Sequence, residues 1–247
     1  MEVKVLFPPN KEIADLQAIV CAVAMRSTRT KEPAHELLSS RMWTRSCIWN
    51  ETILKHYDEC HRLEDSKKCQ YYDRCVERML KQAKQMKHWG VFEHATFTVS
   101  VSGVSRALTH QLVRHRQNSF LQQSQKAVEI DISKDDWYIV PKTVSVLELG
   151  GSHPEREGFY KLMKETAKVY KGLIDSGIPD EDARYVLPNA CKTHIVITAN
   201  VRQWLHIFYM RLSEHAQWEI REMCRLILDE FMKLSPVMFE GAGELEV

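Results

Sequence analysis

A chain of 247 residues carries 34 Lys and Arg against 33 Asp and Glu, a balance that excludes a global field drawing it onto nucleic acid or an acidic membrane, so any anion site must be local. With 44% hydrophobic residues it can bury a sizeable core. No apolar run is long enough to span a bilayer, and the opening Met-Glu-Val-Lys-Val-Leu-Phe-Pro-Pro lacks a basic segment followed by an apolar stretch, so a cytoplasmic location with no membrane attachment is expected. Cys21, Cys47, Cys60, Cys69, Cys75, Cys191 and Cys224 form an odd set without an export signal and are expected to be reduced thiols. In that setting the sequon Asn50-Glu51-Thr52 has no physical meaning.

In chain order, residues 3–7 predict a short edge strand stopped by Pro8-Pro9, which cannot donate to a ladder. Ile13, Leu16, Ile19, Val20, Val23 and Ala24 recur at helical spacing over 12–25 and predict one buried face. Segments around 33–60 and 70–88 also read as helical, separated by a solvated charged loop over 62–68. From Phe97 the pattern alternates, with Phe97, Val99 and Val101 on one side, which predicts a strand ending at Gly103. Ser105 can cap a following helix in which Leu108, Leu112 and Val113 pack inward while Arg106, His110 and Arg114 share another face at four-residue steps.

Beyond Trp137-Tyr138-Ile139-Val140-Pro141, helical periodicity resumes at Phe159, Leu162, Met163, Ala167, Tyr170, Leu173 and Ile174 and closes at Gly177. A short helix over 180–187 is cut by Pro188. The β-branched run 193–198 predicts a strand, followed by helices over 201–212 and 214–233. Helices and strands cluster rather than alternate, so the expected class is α+β: a single mixed domain over 1–247 with an antiparallel or mixed sheet flanked by helices.

Chemistry concentrates after the cationic helix. Arg114-His115-Arg116 is followed by a polar loop over 117–126 that is rich in donors and poor in acids. Guanidinium groups bind phosphate or carbonyl edges bidentately, and a serine with several amides can read a base or ribose. Taken alone, the tripeptide reads better as a solvated helix end favoured by the macrodipole. No G-x-G-x-x-G or Walker pattern follows a strand, which disfavours a Rossmann or P-loop enzyme. Ser124 has no nucleophile elbow and no partner base.

The spacing Arg114, His115, Arg116, then Ser124, together with Phe92-Glu93-His94, Ser105-Arg106, Ala183-Arg184-Tyr185-Val186-Leu187-Pro188, Asn200, Arg202, Arg211-Leu212 and residues 215–220, resembles the flavin-dependent thymidylate synthases. The likeness covers about 88–126 and 175–222 and is poorest in the helical, Cys-containing segment at about 45–80. What the resemblance implies is the fold of the thymidylate synthase-complementing proteins and a methyltransferase that converts dUMP to dTMP. Its carbon donor would be 5,10-methylenetetrahydrofolate and its hydride source FAD re-reduced by NADPH. It further implies a homotetramer with active sites between subunits.

By the same resemblance His88, Gly90, Arg114, His115, Arg116, Gln122, Asn200, Arg202 and His206 hold the flavin. Gln111, Arg114, Gln122, Gln123, Ser124, Gln125, Lys126, Arg184 and Arg211 hold dUMP. Arg211 is the catalytic residue, a fixed guanidinium that favours charge developing on the uracil ring. Two positions depart from the family pattern: Gln122 stands where Glu is common and Lys126 where Arg is common.

Competing readings are weaker. A basic surface over 106–126 on a non-catalytic nucleic-acid-binding protein lacks net charge and interleaved aromatics, and a flavin reductase without methyl transfer leaves the ordered Arg184, Asn200 and Arg211 unexplained. Cys60, Cys69 and Cys75, with His56 and His61, contain no C-x-x-C pair, so no metal site is expected there. Cys191 does not match the cysteine motif of the other thymidylate synthases, which attack uracil C6 with a thiolate, and reads as packing.

Overall fold

Residues 1–28, 33–34, 70–146 and 153–245 are described by a computed structural model. Nearly all of the helical segment expected over 33–60, with Cys47, His56, Cys60 and the sequon, lies outside those residues, as do His61, the charged run 62–68 and Cys69; the side chain of Cys75 is likewise outside them. The described strands are β1 (Glu2–Phe7), β2 (Thr96–Ser105), β3 (Ser119–Gln122) and β4 (Lys192–Asn200), and they form one sheet in the order β1-β2-β4-β3. Thr98 lies 2.9 Å from Thr198 through their hydroxyls, and the Arg106 N–H donates to the Cys191 carbonyl at 3.0 Å. Rising numbers on β2 therefore meet falling numbers on β4, and the sheet is antiparallel. With the helices below, this is the α+β class expected from the sequence.

Period-two patterning explains the central strands. In β4, Thr193, Ile195, Ile197 and Ala199 are buried while their neighbours are not, and in β2 Phe97, Val99 and Val101 do the same. The sequence pattern ended β2 at Gly103, but the strand runs on to Ser105. Gly103 adopts φ +68° and the buried set slips by one residue to Val104. Glycine reaches that conformation at little cost, and a Cβ there would lie 3.4 Å from the backbone of Met1.

The described helices are α1 (Lys11–Ser27), α2 (Gln70–Gln85), α3 (Arg106–Leu112), α4 (Lys142–Val146), α5 (Pro154–Asp175), α6 (Asp180–Ala183), α7 (Val201–Arg211), α8 (Trp218–Leu234) and α9 (Pro236–Phe239), with 3-10 turns at Trp89–His94 and Arg184–Val186. Four begin on side-chain caps. Asn10 accepts from Ile13 N–H, Ser105 from Leu108 as expected, Asn200 from Gln203, and Gln217 from Glu219 and Ile220. Each such cap supplies an acceptor for a backbone donor that the helix cannot satisfy itself.

The described residues divide into two compact units. One comprises Met1–Val3 and Ser100–Ile197, the other Lys4–Val99 and Thr198–Val247. In the first, Trp137, Tyr138, Met163 and Cys191 form a buried cluster with Phe159, Tyr160 and Leu187 packed against it. Tyr138 bridges to Cys191 outside the named strands. In the second, Phe97, Trp204, Phe208, Phe231 and Phe239 form an aromatic core, with Phe231 centred 4.6 Å from Phe97, 4.8 Å from Phe239 and 5.1 Å from Trp204. The Trp204 indole N–H donates to the Phe97 carbonyl at 3.1 Å, satisfying the one polar group that burial of the ring would strand.

Several expected core positions are exposed. On α1, Leu16 and Val20 face outward while Ala14, Ala18, Cys21 and Ala22 are buried. That helix meets α2, α8 and the 89–94 turn, and small side chains allow close approach on several sides. Val113 and Leu162 are exposed as well. The helix expected from 214 starts only at Trp218, where Gln217 caps it.

Replacing Phe231 with Ala removes the ring that the other four aromatics share and is expected to destabilise the protein by about 3–5 kcal/mol. A urea titration followed by tryptophan fluorescence reads this as a lowered midpoint; an unchanged midpoint contradicts the assignment of this cluster as the core of its unit.

Candidate functional site

In the unit formed by Met1–Val3 and Ser100–Ile197, β2 passes straight into α3, which ends at Leu112. Arg114, His115 and Arg116 therefore occupy the turn after the helix rather than its last turn. His115 is 7% exposed and its carbonyl accepts from the Asn118 amide at 3.0 Å. Arg114 and Arg116 point to solvent. Gln111 is half-buried on α3.

The segment expected to be a loop contains β3, an edge strand of the sheet. Its alternation turns Phe120 and Gln122 inward and leaves Leu121 79% exposed. The Gln122 amide nitrogen donates to the hydroxyls of Thr109, at 2.9 Å, and Thr193, at 3.3 Å. The Gln123 N–H donates to the His194 carbonyl at 3.1 Å, while its own carbonyl accepts from the Arg106 guanidinium at 2.7 Å. The Gln125 amide donates to Cys191 Sγ at 3.4 Å. Ser124 Oγ accepts from the Lys126 N–H at 3.2 Å, a local turn rather than a nucleophile with a base. Lys126 pairs with Glu181 at 2.6 Å, and Arg184 Nε donates to the Glu181 carbonyl at 3.0 Å.

Gln122 through Lys126, Arg184 and Arg106 are thus gathered at one end of β3. Arg106 was legible in the sequence as a member of the cationic helix face and of the Ser105-Arg106 motif, not as a site residue. Its four-residue spacing to His110 and Arg114 was the available signal. Burial lowers the pKa of its guanidinium, opposed in part by Cys191, and the like charge of Arg184 adds a smaller lowering effect. Its Nε is buried and unpartnered among the described residues. Among those residues, Arg106, Arg114, Arg116 and Arg184 form no ion pair with a carboxylate.

In the other unit, His88 precedes the 89–94 turn and is exposed, and Gly90 has open space where a side chain would stand. Glu93 in that turn pairs with Arg202 at 2.5 Å. Asn200 is committed through its Oδ1 to capping α7. Arg202 and His206 share an accessible stripe of α7 one turn apart. Arg211 is half-buried in the last turn of the same helix, where the carbonyl ends favour a cation. Its charge draws the Cys224 thiol down, while complete burial dominates and pushes that thiol up to about 12.

Cys191 is fully buried. Burial raises its pKa, opposed by the Gln125 hydrogen bond and the charge of Arg106. A buried thiol held in its neutral form is a poor nucleophile, in keeping with the packing role read from the sequence.

Residues 20–237 match the family described as thymidylate synthase complementing protein. A flavin-dependent thymidylate synthase of Geobacter sulfurreducens is 41% identical over 170 residues, 68% of this chain and 70% of that protein. One of Pyrococcus furiosus is 42% identical over 159 residues, 64% of this chain and 63% of its own length. One of Sulfolobus acidocaldarius is 37% identical over 168 residues, 68% of this chain and 62% of its own. With the whole Arg114–Ser124 signature, α7 and α8 inside the matched span, the chain belongs to the thymidylate synthase complementing protein family, the enzymes known as flavin-dependent thymidylate synthases.

Proposed function

We propose that this chain methylates dUMP to dTMP, taking the carbon from 5,10-methylenetetrahydrofolate, as one domain over 1–247 acting in a cytoplasmic homotetramer with its active sites between subunits. The observation that carries the reading is the set of four guanidiniums, Arg106, Arg114, Arg116 and Arg184, with no carboxylate partner among the described residues of a nearly neutral chain. Packing like charges without acids is costly unless an anion completes them. A nucleotide phosphate and a flavin pyrophosphate are anions of that kind. The strongly exposed Leu121 and Tyr185 beside this group, and Leu162 and Val169 on α5, support subunit contacts over surfaces that water would otherwise cover.

The donor set suits FAD: Arg114 and Arg116 for phosphates, Arg202 and His206 on one helix stripe, His88 for a ring edge, and the open space at Gly90 for close approach of a planar ring. Gln122, His115 and Asn200 complete that group, the last two acting through backbone and cap geometry. When bound and reduced by NADPH, the flavin supplies the hydride that turns the transferred one-carbon unit into a methyl group.

The chain's own residues do the rest. Arg184, Ser124 and Lys126 bind the nucleotide, Lys126 exchanging its pair with Glu181 for a phosphate oxygen. Gln111, Gln123 and Gln125 orient the sugar and base. Arg211 places a guanidinium beside the pyrimidine, stabilising negative charge on the ring so that C5 becomes nucleophilic, and release of the C5 proton completes substitution by methyl.

Purified protein supplied with FAD, NADPH and methylenetetrahydrofolate is expected to release tritium from [5-³H]dUMP and form dTMP. A chain that binds no flavin and releases no tritium sinks the reading. Arg211→Ala is expected to lower turnover by about a hundredfold or more while retaining the flavin absorbance; loss of flavin with intact turnover per bound flavin reverses the assignment.

Cys191→Ala is expected to keep turnover within about threefold of wild type, since a buried neutral thiol takes no part in attack. Iodoacetamide labelling of the native protein followed by mass spectrometry is expected to leave Cys21, Cys191 and Cys224 unmodified.

A further inference from the structure

The half-buried amide of Gln122 sits in a cradle made by two hydroxyls. Its Nε2 donates to Thr109 Oγ1 at 2.9 Å and to Thr193 Oγ1 at 3.3 Å. Thr109 is fully buried and Thr193 nearly so, at 3% exposure. A threonine hydroxyl has one proton to give, and both are already directed to backbone carbonyls. Thr109 donates to the Arg106 carbonyl at 3.1 Å and Thr193 to the His194 carbonyl at 3.5 Å. What each oxygen has left for Gln122 is a lone pair. Two acceptors facing one side chain are matched by the two N–H bonds of an NH₂ group and by nothing a carboxylate can offer.

The cradle comes from three elements. Thr109 lies on the inward face of α3 beside Leu108, Thr193 lies on the buried face of β4 with Ile195 and Ile197, and Gln122 is on the inward face of β3 with Phe120. Among the described residues no group hydrogen-bonds Gln122 Oε1, and that oxygen is not one of the buried, unpartnered atoms. It is therefore accessible, on the segment that continues into Gln123, Ser124 and Lys126.

We propose that Thr109 and Thr193 are positioning residues that fix the amide of Gln122 with its nitrogen inward and its oxygen outward, so that the nucleotide site presents a neutral carbonyl acceptor to a ligand N–H or O–H where a carboxylate would otherwise stand. The inference rests on the site proposed above and explains why Gln rather than Glu occupies position 122. A glutamate there faces two lone pairs. It must turn both hydroxyls away from their carbonyls, losing those two hydrogen bonds, or stay protonated to supply a donor. An amide also adds no negative charge beside bound phosphates.

Three measurements test this. Hydrogen exchange of the Gln122 side-chain NH₂ by NMR, on full-length protein, is expected to be slow in wild type and fast in Thr109→Val/Thr193→Val, whose methyl groups replace the hydroxyls at similar volume. In flavin-loaded protein that double variant is expected to raise the KM for dUMP about tenfold, the loss of roughly one hydrogen bond, with kcat changed far less, while Thr193→Ser restores wild-type values. Gln122→Glu is expected to bind dUMP poorly near pH 8 and to recover as pH falls through the carboxyl's titration, a recovery wild type does not show. Unprotected NH₂ protons in wild type overturn the inference, as does a folded double-valine variant with unaltered KM. If that variant fails to fold, a Gln122→Glu pH profile identical to wild type overturns it. Wild-type protein with protected NH₂ protons and no turnover of dUMP instead overturns the function on which the inference rests.

Discussion

The antiparallel pairing of β2 with β4 is the constraint on which the remaining structure depends. Each strand buries one face in period two, and each hands the chain directly to a capped helix, β2 to α3 through Ser105 and β4 to α7 through Asn200. Those helices, and the turns that follow them, carry Gln111, Arg114, His115, Arg116, Arg202, His206 and Arg211 among the residues assigned to ligands. A strand places its last residue to within its own rigidity, and a cap sets where the next helix begins. The position of Arg106, Arg114 and Arg202 therefore follows from strand registry rather than from loops.

Electrostatics supply the second organising fact. The chain has almost no net charge, yet Arg106, Arg114, Arg116 and Arg184 form no ion pair with a carboxylate among the described residues, while Lys126 and Arg202 are paired with Glu181 and Glu93. Some surface cations on this protein find a carboxylate one helical turn away, as Lys11 does with Asp15 and Lys81 with Glu77. Arg106 is partly desolvated beside the like charge of Arg184, and a bound anion would offset that cost.

Much of this was legible from residue patterns. Alternation named β2, a β-branched run named β4, capping chemistry named the start of α3, and the spacing from Arg114 to Ser124 with Arg184, Asn200 and Arg211 identified the family. Where reading failed, competing contacts decided. Leu16 and Val20 repeat at helical spacing and still face outward, because α1 is packed on its alanine-rich side. Residues 119–122 look like a polar loop, but their backbone groups complete a sheet edge. Arg106 reads as part of a cationic helix face and of the Ser105-Arg106 motif, and its hydrogen bond to the Gln123 carbonyl ties it to that edge.

The sequence by itself determined the family, the two main strands and the inventory of cations and amides, because those depend on residue type and on short spacings along one chain. Only the tertiary structure decided which donor meets which acceptor. Gln122 lies 13 residues from Thr109 and 71 from Thr193, and the direction of a hydrogen bond among three side chains on three elements depends on where each hydroxyl proton is already committed. That commitment is made by backbone carbonyls whose positions exist only once the sheet and α3 have formed.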